Sequence, residues 1–286
     1  MKLKVLVYYH NDLDGRCSAA IVKKAMPDYN YTFVPMGYNQ NQPLPKNIEN
    51  YWRVYIVDFT MPEDFMESLG EHFASQDIIW IEHHITAIEQ YGEKFSSYEG
   101  IRKDGIAASL LTWRYFYGEK EAPIAVQHIA DRDLWYFKLE GTRRFHEYMI
   151  DYNYFPSDSK WEHYLNIKTK LNNELAIGEV ILNHKMKTIK KDVTYLGYES
   201  LLDGIKCLKI NYSSFEVVSD MGHYICEKLG YDIAWMYYVK KDDEGKFIQV
   251  NNLRSKKDID VSEIAKIRGG GGHKNAAGFA SIPWVE

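Results

Sequence analysis

The feature that most constrains the fold is a set of short apolar runs, each ending in acid or imidazole groups. Lys4 to Tyr9 leads into His10-Asn11-Asp12-Leu13-Asp14-Gly15, Val54 to Val57 into Asp58, and Ile78 to Ile81 into Glu82-His83-His84. These runs are rich in Val, Ile and aromatics, which marks them as strand candidates. The segments between them, such as Ser18 to Ala25 and Ser109 to Phe116, carry helical patterns. The alternation predicts a parallel α/β sheet. Ligands of open parallel sheets bind outside the carboxyl ends of the strands, so three successive strands deliver acids and histidines to one edge.

For the first cluster alone, two readings carry similar weight. Asn11-Asp12-Leu13-Asp14-Gly15 can make an Asx turn and cap the helix that follows. Alternatively, His10, Asp12 and Asp14 are three potential metal ligands within five residues, a mixture that suits Mn²⁺ or Mg²⁺ better than a thiolate-seeking metal. Recurrence at Asp58 and at Glu82-His83-His84 favours the metal, because capping would not require it. A fourth candidate, Ala130-Asp131-Arg132-Asp133, follows the apolar helical segment Ile124 to Ile129 and can close the site. One of its two acids is expected to be structural only. Isolated histidines such as His128 read as surface or satisfied residues.

The spacing predicts three parts: an α/β domain over 1–160, a helical connector over 161–195, and a smaller α/β or α+β domain over 196–286. The connector shows Leu171, Leu175, Val180, Ile181 and Ile189 among many Lys and Asn, without a strand signal. The last part carries strand candidates at Ile205 to Asn211, Tyr231 to Val239 and Phe247 to Arg254. A helix around Met221 to Leu229 is closed by Gly230, and a turn falls at Asp242-Asp243-Glu244-Gly245. Gly269 to Gly272 form a run without Cβ atoms, read as a loop that can approach a ligand closely and offer N–H groups to a phosphate or a base. His273 follows it directly, and Arg254 ends a strand where its fork can take a phosphate. Lys256, Lys257, Arg268 and Lys274 supply a local basic rim.

The order His-Asn-Asp-Leu-Asp-Gly, strand-terminal Asp, Glu-His-His and Asp-Arg-Asp resembles the four motifs of the DHH phosphoesterase superfamily. Asn252-Leu253-Arg254-Ser255, Ile259 to Ala265 and Gly269 to Gly278 resemble its DHH-associated carboxyl-terminal domain. The resemblance implies an N-terminal parallel-sheet domain joined to a smaller α/β domain. It also implies two divalent ions, commonly Mn²⁺, bridged by Asp58. His10 and Asp12 would hold one ion and Asp14, His83 and Asp131 the other, while His84 would face the substrate phosphate. Arg254, Gly270, Gly271, Gly272 and His273 would bind the substrate. The signature Asp-His-His is Glu82-His83-His84 here, and Glu82 is expected beside the metals as an orienting group.

The implied activity is hydrolysis of short single-stranded oligonucleotides, resembling the nano-RNase branch, in a cleft between the two domains. The nearest alternatives are a 3'-phosphoadenosine-5'-phosphate phosphatase and a cyclic-dinucleotide phosphodiesterase. A nucleotide-binding protein with reduced catalysis, suggested by Glu82, is the alternative of another class. A net charge of −5 excludes the global positive field of a duplex binder. Three scattered cysteines favour neither a disulfide framework nor a thiolate metal cluster. Without a membrane-length apolar run or a signal-peptide layout at the first residues, a cytoplasmic address is expected and no membrane partner. The oligomeric state stays open, a homodimer included.

Overall fold

A computed structural model describes residues 2–37, 43–167, 171–212, 217–242, 244–256 and 258–283. The chain divides into two compact units, Met1–Leu182 and Asn183–Glu286.

In the first unit, β1 (Lys4–His10), β2 (Asn30–Met36), β3 (Tyr51–Val57) and β4 (Ile78–Ile81) form an all-parallel sheet in the order β2-β1-β3-β4. The central strands are apolar on both faces because both are covered, and their side chains alternate between two cores. Leu6, Tyr8, Val54, Ile56, Ile78 and Trp80 pack with Phe65, Met66 and Leu69 of α2 (Glu63–His72). Val5, Val7, Tyr55, Val57, Ile79 and Ile81 pack with Ala19 and Val22 of α1 (Leu13–Ala25) and Leu111 of α4 (Ala108–Tyr117). The chain leaves β1 through α1 towards β2 and leaves β3 through α2 towards β4. The carboxyl ends of the neighbours β1 and β3 therefore flank the point where the winding reverses, the usual ligand crevice of such sheets.

Helix α3 (Ile85–Tyr91) follows β4. Helices α1, α5 (Ile124–Asp133), α6 (Thr142–Tyr152) and α7 (Lys160–Tyr164) contribute to a third core around Ile21, Ile129, Phe145, Met149, Trp161 and Tyr164. The connector expected over 161–195 is therefore divided differently. Trp161, Tyr164, Leu165 and Leu171 are buried in this core, and the long helix α8 spans Asn172–Leu196, across the boundary between the units.

The second unit is built on a six-stranded sheet, β5 (Tyr198–Leu202), β6 (Ile205–Asn211), β7 (Ile233–Lys241), β8 (Phe247–Ser255), β9 (Gly271–His273) and β10 (Ala276–Ser281), in the order β5-β6-β7-β8-β10-β9. Among the described strands of this sheet, β6 and β7 pair in parallel and the others antiparallel. Ile189 and Val193 of α8 and Met221 of α9 (Val218–His223) cover one face, packing on Ile210 and Met236. Val261, Ile264 and Ala265 of α10 (Val261–Ile267) pack with Leu253, Ala277 and Phe279. A π-helical turn, Tyr224–Lys228, extends α9, and Gly230 beyond it has a φ of 83°. The β7–β8 turn is closed by Asp242, whose Oδ1 accepts from the N–H groups of Glu244 and Lys246; Asp243 lies outside the described residues. Cys17, Cys207 and Cys226 are buried and free of disulfides. No described helix is long and apolar enough to cross a membrane.

Candidate metal centre

Asp12 caps the helix and also faces His10. One carboxylate oxygen caps α1 by accepting from Gly15 N–H at 2.9 Å, and the other lies 2.8 Å from His10 Nδ1. Gly15 is required there: a Cβ would come within 2.1 Å of the His10 carbonyl oxygen, so only glycine lets the first turn of α1 fold back over the end of β1. Asp14, buried one turn into α1, accepts from Ser109 N–H at 3.2 and 3.3 Å.

Asp58 follows β3 with a φ of 58° and donates its N–H to Ile81 O at 2.9 Å. A non-glycine residue in the left-handed region is uncommon, and this one turns a buried carboxylate back over the sheet edge. One of its oxygens lies 3.0 Å from His83 Nε2 and the other 3.7 Å from His10 Nδ1. Phe59 stacks beside the His10 ring, with centroids 6.0 Å apart.

Glu82 clamps the histidine pair. Its Oε1 accepts from His83 N–H at 2.7 Å and His84 N–H at 3.0 Å and lies 2.7 Å from His84 Nδ1, while Oε2 accepts from the Thr60 hydroxyl at 2.6 Å. Burial would raise the Glu82 pKa, but the contacts from His84 and Thr60 prevail and hold it below the usual value. Burial likewise opposes protonation of His84, yet Glu82 raises its pKa.

The fourth motif corrects the reading of its register. Asp131 was expected as the ligand, but its carboxylate accepts from Lys138 N–H at 2.8 Å, Leu139 N–H at 3.0 Å and the Thr142 hydroxyl at 2.6 Å. These bonds outweigh burial and hold its pKa below the ordinary value. Asp133 is the acid that points into the cluster, 3.7 Å from His83 Nε2. The signal lay in the helix period: Asp133 continues the stripe of Val126 and Ile129 at i+7 and i+4, whereas Asp131 lies three residues beyond His128, which also meets the Thr142 hydroxyl.

Potential ligand atoms gather in three overlapping groups, each within 4.8 Å: His10, Asp12 and Asp58; Asp14, His83 and Asp133; and Asp58, Glu82, His83 and His84. Asp58 and His83 are each shared by two groups. The donor set fits divalent cations. Among the described residues, no well-oriented hydrogen bond satisfies the buried Asp58 Oδ1 and Oδ2, His83 Nε2 or Asp133 Oδ2 despite their mutual approach, and such groups are costly unless something charged meets them. Burial first, then the charges of Asp12 and Asp14, pushes the Asp58 pKa well above the carboxylate range. Burial and the charges of Asp14 and Asp58 do the same to Asp133. Crowded, dehydrated carboxylates of this kind resist ionisation until a cation offsets them.

In the second unit, Arg254 lies on β8 opposite Ala276 of β10 and Ala234 of β7. Its guanidinium donates to Leu253 O at 2.9 Å and the Ser219 hydroxyl at 3.3 Å. Gly222 makes room for it, since a Cβ there would meet the arginine Cγ at 2.5 Å. The glycine run is not the expected loop. Gly271–His273 is the edge strand β9, Gly269 turns into it with a φ of 74°, and a Cβ on Gly270 would strike Gly278 O at 2.1 Å. Only Gly271 of the three glycines over 270–272 opens onto space, and His273 is exposed. Of the basic rim, Lys256 donates to Gly230 O and Asp232, Arg268 pairs with Asp203, Lys274 is exposed, and Lys257 lies outside the described residues.

Residues 208–283 match the DHHA1 domain. A curated relative, the uncharacterised protein R106 of Acanthamoeba polyphaga mimivirus, is 28% identical over 184 residues. The match takes in 63% of the chain but only 41% of that relative's length. Among solved structures, the pGpG-specific phosphodiesterase PggH of Vibrio cholerae superposes with a TM-score of 0.55 at 12% identity, covering 99% of this chain and 94% of that one. RecJ of Thermus thermophilus in complex with Mn²⁺ gives 0.54 at 12% identity, covering 97% of this chain and 49% of that one. At such identities the likeness is one of fold.

Proposed function

We propose that the chain, whose residues 208–283 match the DHHA1 domain and whose fold is similar to those of PggH and RecJ, is a DHH-type, divalent-metal-dependent phosphodiesterase acting exonucleolytically on short oligonucleotides. The observation that carries this reading is the chain of overlapping ligand groups at the winding reversal of the parallel sheet: Asp58 is shared by the His10–Asp12 group and the Glu82–His83–His84 group, and His83 links the latter to Asp14 and Asp133.

In this reading His10 and Asp12 serve one ion, Asp14, His83 and Asp133 the other, and Asp58 both, with Mn²⁺ the favoured metal and Mg²⁺ the alternative. Two bound ions acidify a water and offset charge on the phosphate and leaving oxygens. The chain's own groups fix the geometry. The left-handed turn at Asp58 aims its carboxylate, and the Ser109 N–H holds Asp14. Glu82 fixes the backbone of His83 and His84 and anchors a proton on His84 Nδ1, which leaves the Nε2 side to orient towards a phosphate. Asp131 acts as a brace. In the second unit, Arg254, Gly271 and His273 are the proposed substrate-binding groups, with Gly270 and Gly272 shaping the strand that presents them.

The test is product analysis with Mn²⁺ on end-labelled RNA and DNA dimers to pentamers, 3'-phosphoadenosine-5'-phosphate and cyclic di-AMP. Stepwise release of mononucleotides from the oligomers is the expected result. Turnover confined to either of the other two substrates would replace the oligonucleotide reading, and binding without any hydrolysis would favour a nucleotide-binding protein with reduced catalysis.

A further inference from the structure

Immediately beyond Asp133 the chain does something bulky residues rarely do. Trp135 and Phe137 both have left-handed backbones, with φ of 57° and 51°. Such conformations cost energy and persist only where the surroundings impose them. Here Asp131 imposes them: its carbonyl oxygen accepts from Tyr136 N–H at 2.9 Å, and its carboxylate takes the N–H groups of Lys138 and Leu139. The result is an aromatic segment of fixed backbone between α5 and α6, with Trp135 and Phe137 half-buried and Tyr136 exposed.

Cations lie over those rings. The Arg132 guanidinium lies 4.0 Å over Trp135, Arg143 lies 3.9 Å over Phe137, and the Lys138 ammonium lies 4.3 Å over Tyr136, which is 49% exposed. Trp135 and Phe137 meet edge to face at 4.9 Å. Beside them is a hollow of about 370 Å³ lined by Phe137, Arg143, Arg144, Glu179 and Leu182 among others. Residues 132–144 hold four cations against two acids in a chain whose net charge is −5; Arg144 pairs with Glu140 and Glu179, so Arg132, Lys138 and Arg143 are the cations that the rings carry.

We infer that this segment is a nucleotide subsite of the first unit, taking the base and phosphate next to the scissile bond. Unsatisfied acids of the metal centre cannot attract a polyanion by themselves, whereas this segment starts two residues from Asp133 and offers the matching chemistry. A guanidinium over an aromatic ring can offer its outer face to a base and its N–H groups to a phosphate. Exposed Tyr136 adds a second stacking surface. Stacking of this kind tolerates any base, so the subsite should favour longer single strands without reading their sequence. The inference rests on the oligonucleotide reading above and deepens it.

The test uses the full chain with Mn²⁺, the variants Tyr136→Ala and Arg143→Gln, and three substrates: bis-p-nitrophenyl phosphate, an RNA dimer and an RNA pentamer. Thermal melting checks that each variant is folded. Loss of a stacked base or a phosphate contact should lower kcat/KM on the pentamer by about tenfold or more, with a smaller loss on the dimer and little change on the small diester. Pentamer binding in EDTA, followed by fluorescence polarisation, should weaken in parallel, and Arg143→Gln should reduce its salt dependence. Equal losses on all three substrates, or unchanged pentamer binding, would overturn the subsite while leaving the activity standing. A wild-type chain that neither binds nor cleaves the oligomers would instead overturn the oligonucleotide reading itself.

Discussion

Asp131 and Asp133 stand two residues apart on one helix and do opposite things. Asp131 is surrounded by donors and braces the segment that follows, while Asp133 gathers with Asp14 and His83, and its pKa rises through burial and the charges of Asp14 and Asp58. Asp133→Asn should therefore weaken metal binding and reduce turnover by orders of magnitude at nearly unchanged melting temperature. Asp131→Ala should cost roughly 2–3 kcal/mol of stability through the lost charged hydrogen bonds while the ligand groups stay in place. Metal analysis beside thermal unfolding separates the two; metal loss confined to Asp131→Ala would reverse the assignment. At this scale the candidate residues of the first three motifs could be named because His10, Asp58 and Glu82 to His84 fall at strand ends, where the sheet fixes direction, and Asp12 and Asp14 fall in the cap and first turn of the helix that leaves β1. The fourth sits on a helix, where a two-residue step turns a side chain by about 200° and an acidic pair shows no direction unless its stripe is followed back to Val126 and Ile129. Thr60 and Ser109, which hold Glu82 and Asp14, gave no signal, since a single hydroxyl or N–H partner leaves no pattern.

Elements were legible where apolar runs are short and bounded. β1, β3 and β4 are such runs, and β6 and β8 match the predicted segments closely. β2 was not recognised, because an edge strand is only half covered and Pro35 within it breaks the strand signature. β9 was hidden for the opposite reason: its residues are glycines, and the contacts that make it a strand come from β10. Those contacts yield a prediction for the element. A methyl group on Gly272 would meet Ala276 O at 2.5 Å and Ala277 Cα at 2.6 Å, at a φ of 140°. Gly272→Ala should destabilise the second unit by about 1–3 kcal/mol, whereas Gly271→Ala, with open space at its Cβ, should change stability by less than about 1 kcal/mol. Urea unfolding measures both. Similar losses at the two positions would mean that β9 does not pack on β10 as described.

For the molecule as a whole, the candidate metal centre would couple function to stability through protons. Asp58 and Asp133 hold their protons more tightly in the folded chain than in the unfolded one, so above about pH 4 the metal-free fold loses stability as pH rises. His10 acts in the same direction. Burial opposes its charge, but contacts with Asp12 and Asp58 push its pKa up to about 11. The stability it contributes is fully present below about pH 6.5 and is lost as pH climbs through that raised value. Metal ions need deprotonated ligands, so stabilisation by Mn²⁺ should grow over the same range. The melting-temperature gap between Mn²⁺-loaded and EDTA-treated protein should widen from about pH 6 to about pH 9; a gap that stays constant would show that these groups do not bind the metal. The two-unit α/β organisation was readable from the switch between strand-rich and helical patterns. The division within 161–195 was not, because Trp161 and Tyr164 carry the same helical period as the long helix and only their burial assigns them to the first core. The most direct measurement of the central claim is Mn²⁺ stoichiometry by calorimetric titration of wild type and Asp58→Asn, with circular dichroism as the check on folding. A centre bridged by Asp58 predicts two ions per wild-type chain and loss of both from the folded variant at concentrations that saturate wild type. Two ions retained by Asp58→Asn at unchanged affinity, or no specific ion in wild type, would contradict it.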